Sequence, residues 1–260
     1  MTGLEYALGE AQLAGFLVAV ARTAGFVLVA PPFSTRSVPA RARTGIALGL
    51  ALPLMAYTVP AAPALDSTAL VLSMGAQVLM GAVLGFLVLL AVATVQAVGD
   101  LVDLVGGFQM AMGLDPMQLV QTSVMGRLTQ FTATVLLFLT DGHLVVLTGL
   151  ARSVQAMPTW RLDLGEAAGA VTKHFGDLVT GAVEVAAPVL AVMLVADVAL
   201  GLLTRAAPAL NAFSLGFPLK ILLTLLVMGL LVARLPDLVT QVVGDAARTG
   251  LELSGAIRGG

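Results

Sequence analysis

The stretch Ser67 to Gly99, STALVLSMGAQVLMGAVLGFLVLLAVATVQAVG, carries no charged residue, and its reading decides the fold. A helix needs about 20 mostly apolar residues to cross a hydrocarbon layer of roughly 30 Å. This stretch exceeds that length, which predicts a spanning helix free to tilt or to continue past the bilayer. The whole chain agrees: its 260 residues are 58% hydrophobic and 11% charged, too few charges to dress a soluble domain of that size. The expected fold class is all-α, an integral membrane protein of long helical hairpins with about six apolar crossings and one short non-helical loop.

Toward the N-terminus, Leu13 to Ala30 is apolar but for Arg22 and ends at Pro31-Pro32, where backbone donors are lost. Thr44 to Val59 is uncharged and is closed by Pro60. Met1 to Glu10 holds Glu5 and Glu10 and no Lys or Arg, so it lacks the positive start of a cleaved signal peptide, and the first apolar segment is expected to be retained. Arg36, Arg41 and Arg43 lie in the short loop between these two segments, and the positive-inside rule puts Pro31 to Arg43 on the cytoplasmic side.

Toward the C-terminus, Asp100, Asp103 and Gly106-Gly107 are expected to break the apolar run. Phe108 to Gly113 (FQMAMG), leading to Asp115-Pro116, then reads as non-helical or re-entrant chain, tolerated at membrane depth only where protein or a water-filled cavity covers its backbone. Gln118 to Met157 is divided by Asp141-Gly142-His143 into two short pieces, a helical hairpin. Trp160 beside Arg161 in the loop Pro158 to Gly165 suits the headgroup interface or an ordinary polar loop alike. Glu166 to Thr204 fits one helix of about 58 Å, whose charged first half meets water or a partner and whose Pro188 marks a kink. A loop from Arg205 to Phe217 precedes the last strongly apolar helix, Leu219 to Ala233. Beyond Pro236, Val239, Val242, Val243 and Ala246 share one face of an amphipathic tail. One membrane domain is expected, with N-terminal helices and loop over 1–122, a central hairpin over 123–165 and a C-terminal hairpin with its tail over 166–260.

The formal charge of −2 and the lack of a basic run argue against nucleic acid as a partner. Catalysis lacks residues: Ser123, Asp141 and His143 give no nucleophile, base and orienting group in line, and a turn with Asp141 as a helix cap explains the Asp-Gly-His break. With no cysteine and two separated histidines, His143 and His174, no metal site is expected, and Gly106-Gly107 lacks the pattern of a phosphate loop. No catalytic residue, metal or cofactor is therefore expected. Arg22 inside an apolar helix is costly and is a functional-site candidate, facing the protein interior, a cavity or a partner; snorkelling or a structural pairing explains it too. Arg127 and Asp197 pose the same question, and Arg205 and Lys220 bracket the loop before the last apolar helix. A small-solute transporter would show broken helices in two related halves, and the sequence shows no such symmetry.

Taken together these landmarks resemble the FliR family, the export-gate subunit of bacterial flagella, whose virulence-secretion counterparts share the architecture. The resemblance rests on Arg22, on Ala30-Pro31-Pro32-Phe33 and Val38-Pro39-Ala40-Arg41, and on Gly113-Leu114-Asp115-Pro116 with the Asp141-Gly142-His143 break. It rests above all on Leu203 to Asn211 with Arg205 and Pro208, followed by Phe213 and Gly216-Phe217-Pro218-Leu219-Lys220. It implies assembly with FliP and FliQ in the inner (cytoplasmic) membrane, with FlhB at the cytoplasmic mouth, and passage of unfolded flagellar subunits. It further implies that Gly106, Gly107, Phe108, Gln109, Met110, Ala111, Met112 and Gly113 form a plug-like loop, with the glycines as hinges and Phe108, Met110 and Met112 as an apolar seal. Arg22, Arg127, Asp197, Arg205 and Lys220 are then intramembrane or subunit-contact groups.

Overall fold

The computed structural model describes residues 2–35, 37–65, 67–108, 123–157, 164–206 and 212–256. Among these, the regular elements are helices: α1 (Thr2–Val29), α2 (Ala40–Thr58) continued by a 3-10 turn (Val59–Ala61), α3 (Thr68–Gly106), α4 (Val124–Leu139), α5 (Gly142–Ala156), α6 (Leu164–Ala206), α7 (Ala212–Val232) and α8 (Leu235–Ala256). Four spans are long and apolar enough to cross a membrane, Gly9–Val29, Ala40–Ala61, Thr68–Gly106 and Val171–Leu203, and there are up to six if α4 with α5 and α7 with α8 each count as one broken span.

The all-α membrane architecture is as the sequence predicts, and the boundaries are instructive. Two helix starts, those of α3 and α4, are capped by hydroxyls: Ser67 Oγ accepts from Leu70 N–H at 3.2 Å and Ser123 Oγ from Gly126 N–H at 2.8 Å, satisfying donors that a helix start leaves open. The uncharged run ends at Asp100 and Asp103, but the helix does not. The helix α3 passes through both acids for 39 residues, about 58 Å, and stops at Gly106, where Gly107 takes a left-handed φ of 82° that glycine adopts without strain. The expected loop from Arg205 to Phe217 is also shorter, because α7 begins at Ala212 and carries Pro218 inside it. Likewise α6 runs for 43 residues through Pro188. At the Asp141 turn the capping expectation is corrected: Asp141 stands at the start of α5 but its side chain makes no capping bond. The turn is instead made by the backbone, with φ 55° at Asp141 and its carbonyl accepting from Leu144 N–H at 2.9 Å.

The chain divides into two compact units. The first comprises residues 1–91, 141–175 and 243–260. Here α1 and α2 run antiparallel and are tied twice: Thr58 Oγ1 donates to Gly15 O at 2.7 Å and Thr23 Oγ1 to Ala47 O at 2.8 Å. Ala19, Ala51, Leu54 and Val154 form a core between α1, α2 and α5, and Ala14, Val18 and Leu70 another between α1 and α3. The second unit comprises residues 92–140 and 176–242. Its α6 and α7 form an antiparallel hairpin, in which Leu200 meets Gly216, Asp197 meets Lys220 and Met193 meets Thr224.

Candidate functional site

Polar groups placed inside apolar helix packing are where this fold departs from simple burial. Three such places stand out.

The first is Arg22 on α1. The sequence leaves open whether it snorkels, and it does not: Arg22 is 0% exposed. Its Nε donates to Gln77 Oε1 of α3, Nη1 to Ser153 Oγ of α5 at 3.2 Å, and Nη2 to the Met157 carbonyl at 2.8 Å. Among the described residues no carboxylate lies within ion-pair distance of it. Three neutral acceptors from two other helices and the end of one of them thus hold a buried guanidinium, whose planar fork suits several directed bonds at once. The approach of α1 to α3 makes this possible. A methyl group on Gly25 would strike the Val78 carbonyl, one on Gly81 the Arg22 carbonyl and one on Gly85 the Phe26 carbonyl, so both helix backbones are close enough that only glycine fits.

The second is the junction of α3 and α4, which run antiparallel. Gly99 lies against Met125 and Thr129, and Gly126 against the Asp100 carboxylate. Asp103 is fully buried and faces the Ser123 hydroxyl and the first backbone N–H groups of α4. Three residues on, Gly106 packs against the side chain of Thr224 on α7.

The third is the α6–α7 hairpin. Lys220 Nζ lies 2.7 Å from Asp197 Oδ1 and 2.9 Å from Oδ2, an ion pair that leaves 47% of the Asp197 side chain exposed. Around it the hairpin is apolar and open: Leu194, Val195, Val198, Leu222, Leu226 and Leu230 are all exposed.

The remaining predicted positions fall as follows. Arg127 is exposed on the first turn of α4, and Arg205 is exposed in the last turn of α6, where a cation faces the negative end of the helix. Pro31, Pro32 and Phe33 form the turn after α1, with the Phe33 ring 6.4 Å from that of Phe26. Pro39 precedes α2, Arg41 is exposed, and Arg43 Nη2 donates to Thr35 O at 2.7 Å. Gly216 is buried and Pro218 exposed on α7. Of the expected loop, Gly106, Gly107 and Phe108 are placed; Gln109, Met110, Ala111, Met112 and Gly113 lie outside the described residues, as do Arg36, Asp115, Pro116, Pro208, Asn211 and the side chain of Phe217. Sequence reasoning passed over Gln77, Ser153, Asp103 and the α3 glycines. The signals were there: Gln77 is the first amide in the uncharged stretch Ser67 to Gly99, and Gly81 and Gly85 have the four-residue spacing of close helix packing. Among the described residues no group of three metal-binding side chains gathers.

This geometry defines a multi-span α-helical membrane protein with internal polar clasps and a largely open apolar hairpin. Comparison with known proteins carries this further. The family described as "Bacterial export proteins, family 1" matches residues 13–246, nearly the whole chain, and the protein belongs to that family. It is 30% identical to the flagellar biosynthetic protein FliR of Bacillus subtilis over 219 residues, covering 82% of this chain and 84% of that one. It is 31% identical to the Escherichia coli flagellar biosynthetic protein FliR over 203 residues, 77% of each chain. It is also 28% identical to the surface presentation of antigens protein SpaR of Salmonella typhimurium over 234 residues, 87% of this chain and 88% of that one.

Proposed function

We infer that this chain is a structural subunit of the flagellar type III protein-export gate in the bacterial inner membrane. It assembles with FliP and FliQ, with FlhB at the cytoplasmic side, and helps form the conduit for unfolded flagellar subunits. The observation that carries this reading is the α6–α7 hairpin: two long apolar helices left open along their length, with a half-exposed ion pair among them. Lipid tails cover leucines but do not solvate Asp197 and Lys220; neighbouring protein does both. Arg127, Arg205, Asp197 and Lys220, all reachable from outside, are the subunit-contact charges in this account. Arg22, enclosed by its own chain, serves the subunit's internal build.

The protein does no covalent chemistry in this account; its work is to hold a passage shut and to let it open. An apolar, deformable closure resists ions while admitting an extended polypeptide. The segment from Gly106 to Gly113 supplies it, with the left-handed Gly107 at its root and Met110 and Met112 as flexible thioethers. Deleting Met110 to Met112 is expected to make the assembled gate leak small solutes, measured as permeability of cells or vesicles; unchanged permeability contradicts the plug role.

The likeness to SpaR favours a second reading, the equivalent subunit of a virulence injectisome. Filament assembly and swimming in a strain lacking the chain separate the two: the flagellar reading requires loss of both.

A further inference from the structure

Asp103 sits where a neutral residue would be easier to bury. It is 0% exposed, and neither carboxylate oxygen has a partner in strict hydrogen-bond geometry. The polar groups beside it are the Ser123 hydroxyl and the backbone N–H groups of Val124 and Met125 at the start of α4. Those N–H groups have no intrahelical acceptor and lie at the positive end of the helix dipole. Ser123 Oγ is already occupied as an acceptor by Gly126 N–H at 2.8 Å, so it does not satisfy those two groups. One turn earlier on α3, the Asp100 carboxylate presses on Gly126, adding a second negative charge to the same helix start. The one basic side chain on that first turn, Arg127, is exposed.

An Asn, Ser or Thr at position 103 would offer the same helix start an acceptor and cost less to bury than a carboxylate. What the carboxylate adds is charge, directed at a dipole end that attracts it. A further contact shows the junction is built for close approach: Gly99 lies against Met125 and Thr129. We propose that Asp103 is a positioning residue whose charge clamps the start of α4 onto the end of α3, the helix that leads into the Gly106 to Gly113 segment. The link to the gate rests on the function proposed above; the clamp itself does not.

The test uses the full-length chain in its native membrane assembly and compares Asp103→Asn, Asp103→Glu and Asp103→Ala. Amide hydrogen exchange at Val124, Met125 and Gly126 reads the clamp directly. Asp103→Asn keeps shape and loses charge, and its exchange there is expected to quicken on the order of tenfold, whereas Asp103→Glu stays near the parent. A residue that merely fills space would give the reverse, with Asp103→Asn like the parent and only Asp103→Ala faster, and that result overturns the proposal. Permeability of the idle gate is then read beside the Met110 to Met112 deletion. Fast exchange and a severalfold leak in Asp103→Asn support the proposal in full. A leaking deletion beside an Asp103→Asn variant with parental exchange and parental permeability sinks the clamp and leaves the gate reading standing. Fast exchange with no leak in either variant supports the clamp and removes its link to the gate.

Discussion

The α1–α3 contact and the α6–α7 hairpin are both made of long apolar helices, yet they are finished differently. In the first, the backbones close to glycine distance, and the one charge, Arg22, is consumed by Gln77, Ser153 and Met157 of the same chain. In the second, the helices meet through Leu200 with Gly216 and Met193 with Thr224, while leucines and valines face outward and the Asp197–Lys220 pair stays half open. One region satisfies its polar groups within the subunit; the other presents them. On the function proposed above, the first region gives the subunit its stability and the second its contact with neighbours.

Substitutions at the two regions should therefore separate. The largest effect is expected at the tight contact: Gly81→Leu pushes a side chain into the Arg22 carbonyl and the Phe26 backbone, an overpacking loss of about 3 kcal/mol or more. The measurement is the amount of full-length chain in the membrane fraction, which should fall sharply; normal levels would show that the backbones do not touch there. Next, Arg22→Met removes the guanidinium bonds to Gln77, Ser153 and the Met157 carbonyl, a loss of about 3 kcal/mol. Thermal unfolding of the purified chain in detergent should report it, and Arg22→Lys should recover only part, since an ammonium does not reproduce the fork. The smallest effect on the chain itself is expected from Lys220→Met, about 1 kcal/mol or less for a partly exposed pair. That variant should unfold at nearly the parental temperature yet recover fewer partner subunits on purification. If Lys220→Met lowers unfolding temperature as much as Arg22→Met does, the division between an internal and an outward region fails.

The sequence made the helices legible because uncharged runs and prolines speak directly to solvent and backbone donors. Ser67 to Gly99 announced α3, and Pro31-Pro32 and Pro60 closed α1 and α2 close to where they end. It misplaced what depends on contacts between distant residues. Asp100 and Asp103 marked the end of the apolar run, but composition does not reveal that they lie against the start of α4, far on in the sequence. Pro218 read as loop because a proline within a helix costs a backbone bond, yet α7 runs through it. For Arg22 the sequence correctly flagged an expensive charge but could not name its acceptors, one of which, Met157 O, is a backbone carbonyl 135 positions away. The candidate gate segment remains a matter of sequence, carried by its methionines and glycines.

The central claim is that unfolded polypeptide passes beside this chain's gate segment. The chain has no cysteine, so Met110→Cys is a clean probe, with Leu230→Cys on the exposed face of α7 as its control. An export substrate stalled by a folded domain and carrying a single cysteine should cross-link to position 110 and not to position 230. Equal capture at both positions, or none at Met110→Cys while the substrate is demonstrably stalled, would contradict the account.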